Sequence, residues 1–163
     1  VIISLIAAMS LNRAIGNQNK LPWPHMPADW DNLKRVTAGK KMIMGRKSYE
    51  SPDRLRSDAG NVVITRQPDY QTDEGFLVAD SLTKALELVG EADEVFVLGG
   101  EEIFRQSIPL ANRIYLTIVK GTFEGDAFFP EFPENDFVQI CREEHTADAQ
   151  NPYDYVFLVY ERR

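Results

Sequence analysis

The chain has 163 residues, 44% of them hydrophobic and 26% charged, a length and mix that suit one soluble globular domain with a real core. A formal net charge of −7 excludes general binding to nucleic acid or an anionic membrane surface, since either calls for a basic face. With one cysteine, Cys141, no intrachain disulfide is possible, and with two histidines, His25 and His145, no metal cluster is expected.

Residues 1–8 are a continuous apolar run, too short to span a bilayer and without a basic leader, so they read as a strand covered on both faces. A long irregular segment follows from Met9 to Met26, of the kind that serves as a functional lid. Residues 27–37 read as a helix with Pro27 at its first position. Residues 40–45 are a strand and 46–51 a short helix. Strands are expected at 61–65 and 76–79, then a helix at 81–89 capped by Ser81. A strand at 94–100 runs into a glycine pair and a helix at 101–108, followed by a strand at 113–119. Segments 137–145 and 153–163 alternate and form an antiparallel hairpin, in which Cys141 is a structural thiol.

Strands alternate with helices over roughly two thirds of the chain, which predicts a single α/β domain. Its central, mostly parallel sheet has about eight strands and about four flanking helices, with the terminal hairpin as an antiparallel edge. No element shows an apolar seam, so a monomer is expected. In such sheets the ligand crevice lies beyond the carboxyl ends of the strands, here the loops after residues 8, 44, 65, 98 and 119.

The segment LPWPHMPADW (21–30) places Asp29 in the first turn of a helix, on one stripe with Leu33 and Val36. A carboxyl on an apolar stripe is partly buried, which raises its pKa and fits it to bind a neutral donor pair or pass a proton. Taken alone, the position is also accounted for by the helix dipole. Three strand ends carry anion-binding chemistry. Gly45, Arg46, Lys47 and Ser48 open a helix, Gly99 and Gly100 join a strand to a helix, and Thr65 with Arg66 ends a further strand. Each alone is an ordinary strand–helix turn; together they suit an extended ligand with several phosphates, a dinucleotide being the natural candidate.

The runs SLIAAMSLNRAIGNQNKLPW, PADWDNLKRVT, MIMGRKSYES, VFVLGGEEIF, RIYLTIV, FEGDAFFP, HTADAQN and the closing ERR, in that order, resemble the bacterial dihydrofolate reductase family along nearly the whole chain. The resemblance implies hydride transfer from NADPH to C6 of 7,8-dihydrofolate with protonation at N5, in a cytoplasmic enzyme bound by antifolates such as trimethoprim and methotrexate. Asp29 would be the single active-site carboxylate, binding the pterin N–H and 2-amino group and helping to supply the proton through ordered water. Thr117 would bond to that carboxylate and to the pterin. Ile6, Ala8, Trp30, Leu33 and Phe104 would wall the pterin and nicotinamide, with Trp23 and its loop closing over them. Arg46, Lys47, Ser48, Thr65 and Arg66 would hold the adenosine end and its 2′-phosphate. Ala8, Ile15, Gly16, Gly45 and Leu98 would also contact the cofactor. So would Gly99, Gly100, Glu101, Glu102 and Ile103, with a cis peptide between the two glycines. Glu124, Gly125 and Asp126 would brace the lid.

The sequence departs from the family pattern in three places. The segment DRLRSDAGN puts Ala59 where the family has the arginine that grips the substrate's glutamate carboxylate, leaving Arg54 or Arg56 as substitutes. PWPHMPAD is one residue longer than the common form, and Pro152 follows Asn151 in the loop near the lid, where it can donate no N–H. Two alternatives stand beside this reading. One is a nicotinamide-dependent reductase of pyrimidine or other pterin intermediates, which has no need of the Asp29–Thr117 pair. The other is a non-catalytic nucleotide-binding module, which has no use for a carboxylate in an apolar pocket.

Overall fold

An apolar run with no polar face can only sit inside a sheet covered on both sides. The computed structural model, which describes residues 1–163, puts it there as β1 (Ile2–Ser10). The other strands of the main sheet are β3 (Lys41–Gly45), β4 (Asn61–Ile64), β5 (Phe76–Ala79), β6 (Glu94–Val97), β7 (Arg113–Val119), β9 (Phe137–His145) and β10 (Tyr155–Arg162). Their spatial order is β5-β4-β3-β6-β1-β7-β10-β9. Pairing is parallel from β5 through β7, and antiparallel from β7 to β10 and from β10 to β9. The sheet is therefore mostly parallel with an antiparallel edge, as the sequence predicts.

Four helices flank it: α1 (Pro27–Thr37), α2 (Arg46–Glu50), α3 (Leu82–Val89) and α4 (Glu101–Ser107). Successive strand residues point to opposite faces. Ile43, Val62 and Ile64 thus join Leu5, Val95, Val97 and Ile114 beneath α3 and α4, while Met42, Met44 and Val63 turn to Tyr49 of α2 and to Phe76. Beyond α4 the chain tightens into a 3-10 turn at Ile108–Leu110, because Pro109 cannot continue the α-helical ladder.

Three expectations need correction. Residues 9–26 are not wholly irregular. β1 runs on to Ser10 because Met9 and Ser10 find partners in Ile118 and Val119. The segment also contains β2 (Ala14–Gly16), which pairs antiparallel with β8 (Ala127–Phe128) in a separate two-stranded sheet. Strands this short carry no readable period. The strand before the glycine pair ends at Val97 rather than Gly100. Both edges of the main sheet expose apolar side chains, Leu77 and Val78 on β5 and Val138 and Ile140 on β9. Charged neighbours Arg142, Glu143 and Glu144 guard the β9 edge.

The Ser81 cap is present: its Oγ accepts from the Lys84 amide at 3.1 Å, and Gly90 closes the helix at φ 67°. Ser81→Ala is expected to cost about 1 kcal/mol, read by thermal melts as a midpoint about 2–4 °C lower. An unchanged midpoint would show that the cap contributes nothing.

Candidate active site

A cleft of about 1540 Å³ runs along the carboxyl ends of the parallel strands. Sites for one drug-sized molecule measure roughly 300–1,000 Å³, so this one has room for two ligand bodies side by side. Most residues singled out in the sequence line it. They are Ile6, Ala8, Ile15, Gly16, Asp29, Trp30, Leu33, Gly45, Arg46, Lys47, Ser48, Arg54, Thr65, Arg66, Leu98, Gly100, Glu101, Glu102, Ile103, Phe104 and Thr117. Trp23 and Gly99 are not among the residues that line it, though Trp23 packs against Ala8, which does.

The acid is placed by two elements. α1 begins at Pro27 and carries Asp29 in its first turn. The β1–β7 register sets Ala8 beside Thr117, whose hydroxyl lies close to the Asp29 carboxyl. Burial pushes that carboxyl from its ordinary 3.8 up to about 6, and the bond from Thr117 offsets this only in part. Leu33, on the same stripe as Asp29, lines the cleft with it. Val36, on the same stripe, stays outside the cleft.

The lid closes from the other side. Asn17 and Lys20 exchange both backbone hydrogen bonds around Gln18 and Asn19, which take φ of 50° and 61°, making a tight hairpin turn. Its root is braced as the resemblance implies. The Asp126 amide donates to the Gly16 carbonyl at 2.9 Å, and its carboxylate accepts from the Gln18 amide at 3.0 Å. Gly125 is required there, since a Cβ would lie 2.9 Å from both Ala14 and the Gly16 carbonyl. Trp23 is 4% exposed, packed with Met26, Val119 and Tyr155 and edge-on to Phe123. Its buried indole Nε1 has no hydrogen-bond partner. His25 is exposed.

At the cation-rich end, the Gly45 amide donates to the Gly99 carbonyl at 2.7 Å. The Gly99–Gly100 peptide is cis. Gly99 has φ 100°, and a Cβ on it would meet the Phe104 ring at 2.7 Å. Arg46 is held by Glu50 at 2.9 Å, and Glu50 also accepts from the Tyr70 hydroxyl. Arg105 is held by Glu101 and Glu102. Arg54 spans to Asp73 at 2.9 Å and lies over the rings of Tyr49 and Phe76. Of the two arginines that could stand in for Ala59, only Arg54 reaches the cleft; Arg56 and Ala59 are exposed outside it.

Sequence reasoning missed Asp80 and Ser81, which follow β5 and also line the cleft. The carboxyl-end rule would have found them had it been applied to that strand. It also missed Gln18, Asn19, Lys20 and Leu21 on the lid, and Arg105 and Gln106 on α4. The glycine cradle, the hydroxyls and the cations together fit a phosphorylated dinucleotide.

The family model described as dihydrofolate reductase matches residues 2–162. The Bacillus subtilis dihydrofolate reductase is 42% identical over 161 residues, covering 99% of this chain and 95% of that protein. The Haemophilus influenzae dihydrofolate reductase is 39% identical over 160 residues, covering 98% of each. Among solved structures, dihydrofolate reductase from Enterococcus faecalis complexed with NADP(H) and RAB-propyl superposes with a TM-score of 0.91 at 29% identity, over 99% of this chain and 96% of that one. Matched from end to end in sequence and in fold, the chain belongs to the dihydrofolate reductase family.

Proposed function

We propose that this protein reduces 7,8-dihydrofolate to 5,6,7,8-tetrahydrofolate with NADPH, supplying one-carbon metabolism and thymidylate synthesis. The observation that carries this reading is the Asp29 carboxyl, which lines the cleft with Thr117 among the apolar side chains of Ile6, Trp30, Leu33 and Phe104. When bound, NADPH supplies the hydride for C6 of the pterin. The protein orients the two partners, keeps water out and delivers one proton.

Asp29 accepts from the pterin ring N–H and 2-amino group, with Thr117 fixing the carboxyl. A group poised near pKa 6 exchanges protons readily at neutral pH, so Asp29 passes one toward N5 through ordered water. The orphaned Trp23 indole N–H is a donor suited to hold such a water. Ile6, Ala8, Trp30, Leu33 and Phe104 supply the apolar walls. Arg46, Lys47, Ser48, Thr65 and Arg66 grip the adenosine end, and Arg54 takes the glutamate carboxylate in place of the missing arginine. The same reading makes the protein a cytoplasmic monomer and a target of antifolates, whose protonated diaminopyrimidine ring pairs with Asp29.

Dihydrofolate-dependent NADPH oxidation tests the reading directly. Asp29→Asn is expected to lower kcat/KM by about 10²–10⁴-fold at neutral pH, with less loss in acid, where the substrate arrives protonated. Equal loss at every pH would remove Asp29 from proton supply. Arg46→Ala is expected to weaken NADPH about ten- to a hundredfold and NADH little; equal weakening would sink the 2′-phosphate assignment.

The raised pKa also bears on stability. The carboxyl titrates near 3.8 when unfolded and near 6 when folded, so the folded protein holds more protons between those values and loses stability as pH rises through them. Asn at this position removes that penalty. Asp29→Asn is expected to be more stable than the wild type near neutral pH, by on the order of 2 kcal/mol, and no more stable below about pH 4. Urea melts at the two pH values check both halves.

A further inference from the structure

The HTADAQN run ends in the turn between β9 and β10, and no role above uses it. Its last residue reaches the helix that bears Asp29. Asn151 is 4% exposed, and its Oδ1 accepts from the Ala28 amide at 3.0 Å. The amides of a helix's first turn have no partner within the helix. Here Met26, at the capping position, offers no side-chain oxygen, and Pro27 has no N–H. Asp29 and Trp30 turn their amides to the Met26 carbonyl, at 3.1 and 3.3 Å. The cap for α1 thus comes from the far end of the chain, on the residue next to Asp29.

Asp148 dictates which way the Asn151 amide faces. Its Oδ1 accepts from the Asn151 backbone N at 2.7 Å, from Asn151 Nδ2 at 3.0 Å and from the Gln150 amide at 2.9 Å. These donors hold the Asp148 carboxyl below its usual range. With Nδ2 committed to Asp148, Oδ1 is the atom left to face α1. The turn is anchored in its own right, since the Ala147 amide donates to Asp154 at 2.7 Å and the Lys120 amide to the Asp154 carbonyl at 2.8 Å.

We propose that Asn151 is a positioning residue: by capping Ala28 from the β9–β10 turn, it fixes the start of α1 and so the place of the Asp29 carboxyl against Thr117 on β7. The kinetic consequence rests on the function proposed above. A carboxyl that must meet two ligand donors tolerates little displacement, because an error of about 1 Å costs about a hundredfold in rate. The cofactor end of the cleft, built on α2, β4 and α4, does not depend on this bond.

The test compares Asn151→Ala, Asn151→Asp and the double variant Asp148→Asn/Asn151→Asp. The single Asp keeps an acceptor for Ala28 but sets two carboxylates together. In the double variant the introduced amide keeps its oxygen on the two backbone amides and turns its nitrogen toward the introduced carboxylate, which removes the repulsion and leaves Ala28 its acceptor. Both single variants are expected to lose about ten- to a hundredfold in kcat/KM for dihydrofolate, and a similar factor in trimethoprim affinity measured without NADPH. NADPH affinity is expected to stay at the wild-type value, and the double variant to recover most of the loss. The proposal is overturned if Asn151→Ala, assayed below its melting point, keeps wild-type kcat/KM and trimethoprim affinity, or loses NADPH binding in the same proportion. If Asn151→Ala does not fold, recovery in the double variant over Asn151→Asp supports the proposal and absence of recovery overturns it. A wild type that binds trimethoprim but does not reduce dihydrofolate defeats the functional reading instead, and trimethoprim affinity then decides the role of Asn151.

Discussion

β1 and β7 lie side by side in parallel, from Ser4 beside Arg113 to Ser10 beside Val119. The floor of the cleft depends on that register. It puts Ala8 next to Thr117 and turns the Thr117 hydroxyl to the side where Asp29 lies. Side chains alternate faces along a strand, so a slip of one residue would turn Thr117 away and leave a buried carboxyl with no donor. The core forbids the slip, because it would also expel Leu116 and Ile114 from beneath the helices.

Around that register the site sets stability against chemistry. A carboxyl is kept where its charged form is disfavoured. Glycines stand where side chains would collide, most plainly Gly99 against Phe104. Two of the cleft's cations are paired: Glu50 holds Arg46, and Glu101 and Glu102 hold Arg105. These pairs are open to solvent and weak, so a phosphate can take over a cation at little cost.

The sequence discloses the elements whose signal is local. Pro27 marks the start of α1, Ser81 marks the start of α3, and the alternation of 137–145 and 153–163 marks the edge hairpin. Family likeness supplies most of the site, down to the residues that line the cleft. What stays hidden depends on distant partners. β2 and β8 are too short to show a period and exist because each pairs with the other. Trp23 reads as a cover, and its burial among Met26, Val119 and Tyr155 comes from three separate elements. Arg54 and Arg56 are equivalent in sequence until the loop turns one inward. Asn151 looks like a turn residue until α1 is seen to lack a cap of its own.

The central place of β1 has a consequence for how the chain is made. It is made before the other strands of the sheet, and its neighbours on both sides, β6 and β7, begin only at Glu94 and Arg113. At about 5–20 residues per second, the most apolar strand waits on the order of ten seconds for a partner. For that interval the nascent chain exposes a sticky segment that only late-arriving sequence can cover. The centre of the sheet therefore closes late, once more than two thirds of the residues are in place.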